Sequence, residues 1–490
     1  MSEQSLKDKT IRGVGWSAAD AFIGHGVSFL VGLVLARLLT PDEYGLIGIV
    51  AIFTTILSGF VDCGFANSLI RKPEVSDDDL NTMFIVNMTM SVAMFVLLYF
   101  AAPAIAHFFD REQLCVLVRV MGLLLVLQAL SIVQNTILIR NVDFKTKTQA
   151  SIIASVLSGV VGITMAFSGC GVWSLVAQSL SMRLTYSVCL WTFNRWWPKW
   201  RFRTDSLKYM WGFGWKLMLS GLIDRVWAQL YQTVVGKFYS PATLGQYSRS
   251  KEYANLFSSN FTAIVQRVSY PVLSQLQEDK SHMLAAYRQV IKTTMFVTAV
   301  ILISMGAVAE PFIYCLIGPQ WHQAATFLPF ICVSMSFYPL HSINLNMLQV
   351  QGRTDIFLKL EVLKKFLAVG PLALGIFLNI YWMLLGSIIL NIVCIFINTN
   401  YTGKVLGYSC WMQLKDVAPS YGIGLLIAIA VYFFKYLPIS HFAILPIQIV
   451  VGAIVFFMVC EKTQLPEYIE VKEIVNGTFA RLRRKSDLHE

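Results

Sequence analysis

The sequence predicts an all-α integral membrane protein with about 14 transmembrane helices, arranged as two pseudo-symmetric six-helix lobes around a central cavity plus two C-terminal helices. Composition is the first reason. Of the 490 residues, 56% are hydrophobic and only 14% are charged, whereas about a quarter of the residues in a soluble domain are charged. The second reason is that apolar stretches of about 20 residues, long enough to cross a bilayer, recur along the whole chain. The third reason is that short motifs recur about 200 residues apart.

The apolar stretches define the predicted elements in chain order. They lack the strict alternation of polar and apolar residues found in barrel strands, so we expect helices. The 14 predicted spans cover residues 13–37, 44–67, 82–106, 114–138, 149–168, 171–193, 209–235, 243–268, 290–314, 325–349, 357–379, 381–402, 417–436 and 441–460.

These spans divide the chain into five predicted regions. An N-lobe and a C-lobe of six spans each are separated by a basic, tryptophan-rich linker that contains RWWPKWRFR, and two further spans and an amphipathic tail follow. We expect the linker and the tail to lie on the membrane surface, because cations and tryptophans favour the headgroup region. The predicted boundaries are 1–194, 195–208, 209–402, 403–462 and 463–490.

The distribution of Lys and Arg predicts the orientation. If the N-terminus is cytoplasmic, 25 of the 39 cations lie in cytoplasmic segments or at the span ends beside them. The opposite side holds at most four, namely Arg37, Arg111, Lys237 and Lys435. This asymmetry follows the positive-inside rule and predicts that both termini are cytoplasmic. The net charge of +11 is therefore a membrane property and does not indicate a nucleic-acid partner.

Two copies of one motif mark the start of each lobe. ARLLTPDEYG and GKFYSPATLG share a cation, a hydroxyl, a proline and a final glycine at matching positions, and GVGW or GFGW precedes each copy. Because the copies begin at the first and seventh spans, both lobes have the same orientation. The longer motif covers 36–45 and 236–245, and the shorter one covers 13–16 and 212–215.

We expect each copy of the longer motif to form a tight outer turn between the first two helices of its lobe. Proline cannot continue a helix, and glycine permits backbone conformations that other residues avoid. The predicted turn residues are Pro41, Gly45, Pro241 and Gly245. Two like-oriented six-helix lobes are typical of transporters that alternate between inward-open and outward-open states.

The connections leave little room for an enzyme. No outer connection exceeds about 15 residues, so there is no large loop to hold a sugar, and the chain lacks a GxxxxGK[ST] loop for ATP. The nine cysteines are scattered, without a CxxC pair or a nearby His. We therefore expect no enzymatic activity, no cofactor, no metal and no disulfide framework.

The N-terminal sequence resembles a known family. KTIRGVGWSAADAFIGHGVSFLVGLVLARLLTPDEYGLIGIVAIF, followed by DCGFANSLIRK, resembles the signature of Wzx-type flippases. The branch is that of the colanic-acid exporters, within the multidrug, oligosaccharidyl-lipid and polysaccharide exporter superfamily, and the resemblance runs along the whole chain. It implies movement of an undecaprenyl-pyrophosphate-linked oligosaccharide to the outer leaflet of a bacterial inner membrane, for O-antigen, capsule or exopolysaccharide synthesis.

Ionisable residues inside the spans predict where such a cargo binds. A charge at the bilayer centre costs about 2.5–3.5 kcal/mol on insertion scales, so these residues are functional candidates. Cations offer charge-assisted hydrogen bonds to a pyrophosphate. Polar stripes identify spans one, two, seven and eight as the expected cavity walls. The predicted headgroup-binding residues are Lys216, Arg225, Gln229, Arg249, Lys251, Asn255, Arg183 and Arg119.

Aromatic residues in the same walls are candidates for stacking on sugar rings: Trp16, Trp227, Tyr231 and Tyr253. The cations also have a competing interpretation, which is pairing inside the protein. In that case Asp224 would neutralise Lys216 or Arg225, and Glu252 would neutralise Arg249 or a lysine.

Transport against a gradient requires a driving force, and without an ATP site we expect H⁺ or Na⁺ to supply it. Asp20, Asp62 and Asp224 are the carboxylates predicted to lie deep enough to exchange an ion. The alternative for each is a salt bridge to a cavity cation.

Three other functions remain open. A drug or cation antiporter of the same superfamily would normally have twelve spans and a more acidic cavity. A lipid II flippase has fourteen spans but a less similar N-terminal signature. A non-transporting scaffold of an envelope complex would not need so many ionisable residues in opposing walls. We expect a monomer in contact with membrane lipids, and glycan polymerase or assembly proteins are candidate partners of the tail.

Overall fold

A computed structural model of the protein describes residues 25–277 and 279–473. The secondary structure of these residues is helical, and the chain divides into two compact units, Met1–Gly245 and Gln246–Glu490. The described part of the first unit contains α1 (His25–Leu38), α2 (Pro41–Asp62), α3 (Phe65–Arg71), α4 (Asp77–Phe108), α5 (Gln113–Met121), α6 (Leu123–Arg140), α7 (Phe144–Phe167), α8 (Val172–Asn194) and α9 (Thr204–Phe238).

Helix α10 (Pro241–Asn255) begins in the first unit and continues into the second, where a π-helical turn (Leu256–Asn260) follows it. The described part of the second unit continues with α11 (Phe261–Gln275), α12 (Lys280–Ala307), α13 (Ala309–Ile317), α14 (His322–Ser336), α15 (Tyr338–Val350), α16 (Thr354–Leu367), α17 (Val369–Phe377), α18 (Ile380–Leu406), α19 (Cys410–Tyr432) and α20 (His441–Thr463).

The described helices coincide with the predicted spans, the first of which is described from residue 25 onward. Some spans are broken by a single residue between two helices, as at Gly122 between α5 and α6. Within the described residues, nine helices are long and apolar enough to cross a membrane, and Gly26–Leu38 is a shorter apolar helix. The remaining predicted spans, at 171–193, 209–235, 243–268 and 357–379, are helical but less apolar. Helices of that kind need protein or water against their polar faces.

The repeated proline motifs begin helices α2 and α10. Thr40 caps α2 in a capping box: its Oγ1 accepts from the backbone nitrogen of Glu43 (3.4 Å), and its own backbone nitrogen donates to the Glu43 carboxylate (2.7 Å). In the second copy, Ser240 Oγ accepts from the backbone nitrogen of Thr243 (3.1 Å). Proline occupies the first helical position in both copies, where its missing N–H costs nothing.

The glycines of these motifs do not lie in the turns, which corrects the prediction for Gly45 and Gly245. Both lie one helical turn inside α2 and α10. A side chain at either position would overlap neighbouring backbone, so close approach, and no special backbone conformation, is what requires glycine there.

Helix α9, the first helix of the second repeat copy, packs in the first unit. Met210 of α9 shares a core with Phe65 of α3, Phe84 of α4 and Val133 of α6, and all four side chains are buried. The compact units therefore divide at residue 245, whereas the repeat copies divide at the linker near 195–208. The predicted lobes describe the repeat and stay a prediction.

The predicted linker lies on the first two turns of α4. The backbone nitrogen of Lys199 donates to Asn81 Oδ1 (2.6 Å), and that of Arg203 donates to Thr82 Oγ1 (3.0 Å). Their side chains also pair with Asp77 and Asp78, each at 2.9 Å. Trp197 and Trp200 remain exposed. The linker is thus held by α4 and presents tryptophans outward.

The second unit has a buried polar network at its centre. Asn344 of α15 accepts hydrogen bonds from Tyr287 (2.8 Å) and Thr402 (2.7 Å), and its amide donates to Gln413 (2.9 Å). These residues come from four helices, α12, α15, α18 and α19. Because buried polar groups are costly unless satisfied, the network fixes how these helices pack.

The C-terminal segment is attached to the second unit. Residues 466–473 are helical, and Glu467 pairs with Lys292 of α12 at 2.5 Å. A hydrogen bond from Lys472 to the Glu461 carboxylate (2.5 Å) raises the pKa of Lys472 above its ordinary value. The rest of the predicted amphipathic tail lies outside the described residues.

Candidate functional site

The first unit contains a polar cavity of about 460 Å³. This volume is within the range of small-molecule sites, about 300–1,000 Å³. Helices α2, α6, α7, α8 and α9 and the start of α3 line it. The lining residues are Asp62, Ala66, Gln128, Ser131, Ile132, Asn135, Thr136, Ile139, Lys147, Ser151, Ala154, Met182, Arg183, Tyr186 and Arg225.

The polar lining arises from helical periodicity. On α6, Gln128, Ser131 and Asn135 follow one another at intervals of three and four residues, so they share one face. On α7, Lys147 and Ser151 are four residues apart and share a face in the same way. Two amphipathic faces within otherwise apolar helices therefore meet at the cavity.

Three cations and one carboxylate line the cavity: Lys147, Arg183, Arg225 and Asp62. Lys147 and Arg183 make no hydrogen bond or ion pair with any protein group in the part of the chain that the structure describes. A cation without a protein partner, in a cavity of a membrane protein, is available to a bound anion. The cavity therefore has the charge and the donors for an anionic group.

Arg225 differs from the other two cations because α2 holds it in place. Its guanidinium donates to Ser58 Oγ (2.6 Å) and to the Thr55 carbonyl (3.3 Å). Gly59 makes room for this side chain, since a Cβ at that position would lie 3.2 Å from Arg225 Cδ. Arg225 also attracts Asp62 electrostatically. These hydrogen bonds hold the Arg225 guanidinium in place on the α9 side of the cavity.

A sharp turn places Asp62 at the cavity. Asp62 is the last residue of α2, and Cys63 and Gly64 follow with φ angles of 53° and 68°. The left-handed pair turns the chain into α3, which begins at Phe65. The DCGF stretch that carried the family resemblance is therefore the turn that presents the carboxylate.

The other predicted residues of α9 lie outside this cavity. Lys216 and Asp224 are exposed, while Trp227, Gln229 and Tyr231 are half-buried. Arg119 is also separate from it: its guanidinium lies over the Tyr99 ring, 4.5 Å from the centroid. Of the eight predicted headgroup residues, the structure brings Arg183 and Arg225 together here.

The predicted residues of the second unit are partly occupied by internal contacts. Arg249 pairs with Glu252 at 2.7 Å, which is the pairing that the sequence offered as the alternative. Asn255 accepts from Ser259 Oγ at 3.1 Å, and Lys251 is half-buried. Tyr253 is only 2% exposed and packs edge-to-face on Phe312. Its ring has no open face for a sugar in this structure, so the stacking prediction for Tyr253 is withdrawn.

Two predicted residues, Trp16 and Asp20, lie outside the described residues. The predicted walls were spans one, two, seven and eight. Among the described residues, spans two and seven do line this cavity, but spans four, five and six contribute most of it. The sequence reasoning missed Lys147 because it lies in a short basic connection and was assigned to topology. It missed the α6 stripe because single polar residues in an apolar span are usual.

The fold defines a multi-pass helical membrane protein whose first unit contains a polar, cationic cavity. Residues 34–326 match the polysaccharide biosynthesis protein family, and the chain belongs to that family. The predicted family resemblance is thereby confirmed.

Named relatives align with about three quarters of the chain. The chain is 23% identical over 372 residues to the succinoglycan biosynthesis transport protein ExoT of Rhizobium meliloti, which covers 76% of this chain and 75% of ExoT. It is 22% identical over 377 residues to the lipopolysaccharide biosynthesis protein WzxC of Escherichia coli K12, which covers 76% of both chains.

Solved structures share the fold. The lipid II flippase MurJ, in an inward closed conformation, superposes with a TM-score of 0.70 at 15% identity, over 91% of this chain and 97% of MurJ. An inward-facing multidrug transporter of the MATE family gives a TM-score of 0.61 at 15% identity, over 79% of this chain and 99% of that one. These likenesses confirm the predicted all-α membrane fold.

Proposed function

We propose that the protein is a flippase for undecaprenyl-pyrophosphate-linked oligosaccharide repeat units. It moves them from the inner to the outer leaflet of the bacterial inner membrane, for O-antigen, capsule or exopolysaccharide synthesis, with both termini cytoplasmic and without enzymatic chemistry. The observation that carries the proposal is the first-unit cavity, where Lys147 and Arg183 have no protein partner among the described residues. The names of ExoT and WzxC support the class of cargo.

The proposed role of the cavity is to hold the anionic headgroup while the lipid tail stays in the bilayer. Lys147 and Arg183 supply donors that no described protein group occupies, and Arg225 supplies a fixed charge held by Ser58. Gln128, Asn135 and Tyr186 supply neutral donors and acceptors of the kind that bind sugar hydroxyls. A headgroup bound in this way exchanges its hydration for charge-assisted hydrogen bonds, which contribute about 1.5–3 kcal/mol each.

Asp62 is the proposed coupling carboxylate. It is the acidic side chain among the cavity-lining residues, and it faces Arg225 and the cations that would bind the cargo. Binding of H⁺ or Na⁺ at Asp62 would change the net charge that the cargo meets. An ion bound at Asp62 would compete with the attraction between the Asp62 carboxylate and the cavity cations. This competition would couple ion binding to cargo binding.

Two alternatives share the fold. A drug antiporter binds organic cations, but three cations against one carboxylate in this cavity would repel them. A lipid II flippase carries another pyrophosphate-linked glycan and would suit the same charges, so the cavity does not separate these two cargoes. The assignment to polysaccharide repeat units rests on the family and on the named relatives.

The proposed headgroup site predicts a specific loss of binding. Purified wild-type protein in nanodiscs should bind undecaprenyl pyrophosphate, measured by quenching of tryptophan fluorescence. We expect Lys147→Ala and Arg183→Ala each to weaken this affinity about tenfold, because each removes one charge-assisted hydrogen bond.

Arg119→Ala is the matched control, because Arg119 is a cation of the same unit that contacts Tyr99 away from the cavity. Its affinity should match the wild type. Equal affinities in all four proteins would contradict the site, and an equal loss in all three variants would show that only overall charge matters.

A further inference from the structure

A small groove opens on the surface of the first unit, between α3 and the start of α9. Its volume is about 290 Å³, and it is lined by Ser68, Arg71, Tyr209, Gly212 and Phe213. The three lining residues of α9 share one helical face, because the second and third lie three and four residues after the first. The groove shares no lining residue with the cavity described above, so the two are separate sites.

The short helix α3, which forms one wall of the groove, is held at both ends. At its start, a Cβ added to Gly64 would lie 2.5 Å from the carbonyl oxygen of Gly214, so the two backbones are in contact there. One turn later, Ser68 Oγ donates to the Met210 carbonyl (3.3 Å). At the far end, the Arg140 guanidinium donates to three backbone carbonyls of α3 and the loop that follows it. The packing of the protein itself therefore maintains the groove.

Arg71 supplies the charge of the groove. Its guanidinium lies over the Phe213 ring, 5.2 Å from the centroid. Arg71 makes no hydrogen bond or ion pair with a protein group in the described ranges 25–277 and 279–473. An aromatic ring offers no oxygen acceptor, so the N–H donors of the guanidinium remain available to an oxyanion.

Carboxylates neutralise the cations that lie near Arg71 in the chain or on the linker. Lys72 pairs with Asp79 at 2.6 Å, and Arg203 pairs with Asp78 at 2.9 Å. Among the described residues that line the groove, Arg71 is the charged side chain. A ligand with a net negative charge therefore complements the groove.

The groove lies where two helices leave the membrane. The second predicted span ends at residue 67 and the seventh begins at residue 209, on the side that the charge distribution predicts to be cytoplasmic. Trp211 and Trp215, beside the groove on α9, are exposed. Tryptophans of this kind are enriched at the level of the lipid headgroups. Basic pockets between transmembrane helices at this depth suit the headgroups of anionic lipids.

We propose that the groove between α3 and α9 binds an anionic phospholipid of the cytoplasmic leaflet, with its phosphate group on Arg71. The phosphate oxygens accept hydrogen bonds from the guanidinium, and the acyl chains continue into the bilayer. Gly212 keeps the groove open for the headgroup, since even a Cβ at this position would meet nothing within 4 Å. The lipid is a resident ligand, and the site does not depend on the proposed function.

Photo-crosslinking of the full chain in nanodiscs tests this site. The nanodiscs are made of phosphatidylcholine with a trace of phosphatidylglycerol that carries a photoactivatable group next to the glycerol. We expect labelling of residues 68–75 and 204–216, and an excess of unlabelled phosphatidylglycerol should displace it. Arg71→Ala removes the charge-assisted hydrogen bonds, and Gly212→Leu fills the groove, so each should reduce labelling about tenfold.

Gly221→Leu and Arg119→Ala are the matched controls. Gly221 also lies in α9, and a Cβ there meets nothing within 4 Å, but it does not line the groove. Arg119 also lies over an aromatic ring, that of Tyr99, away from the groove. Both variants should keep wild-type labelling.

The displacement experiment on the wild type needs no substitution, and Gly212→Leu tests the groove without removing a charge. Equal labelling of the wild type, Arg71→Ala and Gly212→Leu would overturn the proposal, as would labelling that unlabelled phosphatidylglycerol does not displace. Displacement by undecaprenyl phosphate at concentrations where phosphatidylglycerol has no effect would make the groove a cargo site and would overturn the assignment to a phospholipid. Flipping without groove labelling would disprove this site alone, and groove labelling without flipping would disprove the proposed function alone.

Discussion

Lys147 and Arg183 differ from Arg225 in what holds them. Arg225 is fixed by Ser58 Oγ and the Thr55 carbonyl, whereas the other two cavity cations make no protein contact of that kind among the described residues. A fixed charge shapes the site before cargo arrives, and a free cation can follow the headgroup as it moves.

Part of this site could be predicted from the sequence. Arg183, Arg225 and Asp62 were predicted because ionisable residues in apolar spans are rare and costly. Lys147 was not, because a lysine in a short basic connection between two spans has an equally good topological explanation. Which cations share a cavity depends on helix packing, and a single sequence contains no direct signal of that.

Asp62 is where an ion-coupling prediction can be tested at the residue scale. We expect Asp62→Asn to keep or strengthen headgroup binding, because it removes the negative charge near Arg225. The same change should abolish any acceleration of flipping by an imposed pH or Na⁺ gradient. The measurement is the flipping rate in proteoliposomes with and without each gradient.

Glu112→Gln is the control for Asp62→Asn, because Glu112 is exposed in the loop between α4 and α5 and does not line the cavity. It should keep the gradient dependence of the wild type. Full gradient dependence in Asp62→Asn would exclude Asp62 as the coupling group.

At the scale of elements, most helices could be predicted from the sequence, but the contacts between helices could not. Long apolar stretches predict helices with few competitors, since a bilayer leaves the backbone no other partner. Pro41 was predicted to lie in a turn, but it is the first residue of α2, where its missing N–H costs nothing because that position has no intrahelical acceptor. The reason for glycine at position 45 could not be predicted, because it depends on close contact with the backbone of Pro241, about 200 residues away.

The linker offers a test at the same scale. Its backbone is held by Asn81 Oδ1 and Thr82 Oγ1. We expect the double variant Asn81→Ala, Thr82→Ala to increase trypsin cleavage at residues 195–203 about tenfold, because two ordered backbone donors lose their acceptors. Inside-out membrane vesicles, which expose the cytoplasmic face, are the sample.

Thr89→Ala is the control for that double variant, because the Thr89 hydroxyl donates to the Ile85 carbonyl of its own helix. It should leave cleavage unchanged. Right-side-out vesicles should protect the linker in every variant, and cleavage there would contradict the predicted orientation.

At the scale of the whole molecule, the repeat and the compact units divide the chain differently. The repeat begins again at the linker, yet α9 shares a buried core with the first unit through Met210. The repeat is defined by sequence similarity between the two copies, whereas the compact units are defined by which helices contact each other. The second-copy helix that carries Arg225 consequently completes a cavity built mostly by first-copy helices.

The measurement that tests the central claim most directly is flipping in reconstituted membranes. Proteoliposomes carrying the wild-type protein, or the double variant Lys147→Ala, Arg183→Ala, are loaded with undecaprenyl-pyrophosphate-linked oligosaccharide, and its accessibility in each leaflet is followed. We predict protein-dependent transfer by the wild type and at least a tenfold slower transfer by the double variant at equal protein level. Absence of transfer by the wild type, or equal rates in both proteins, would contradict the account.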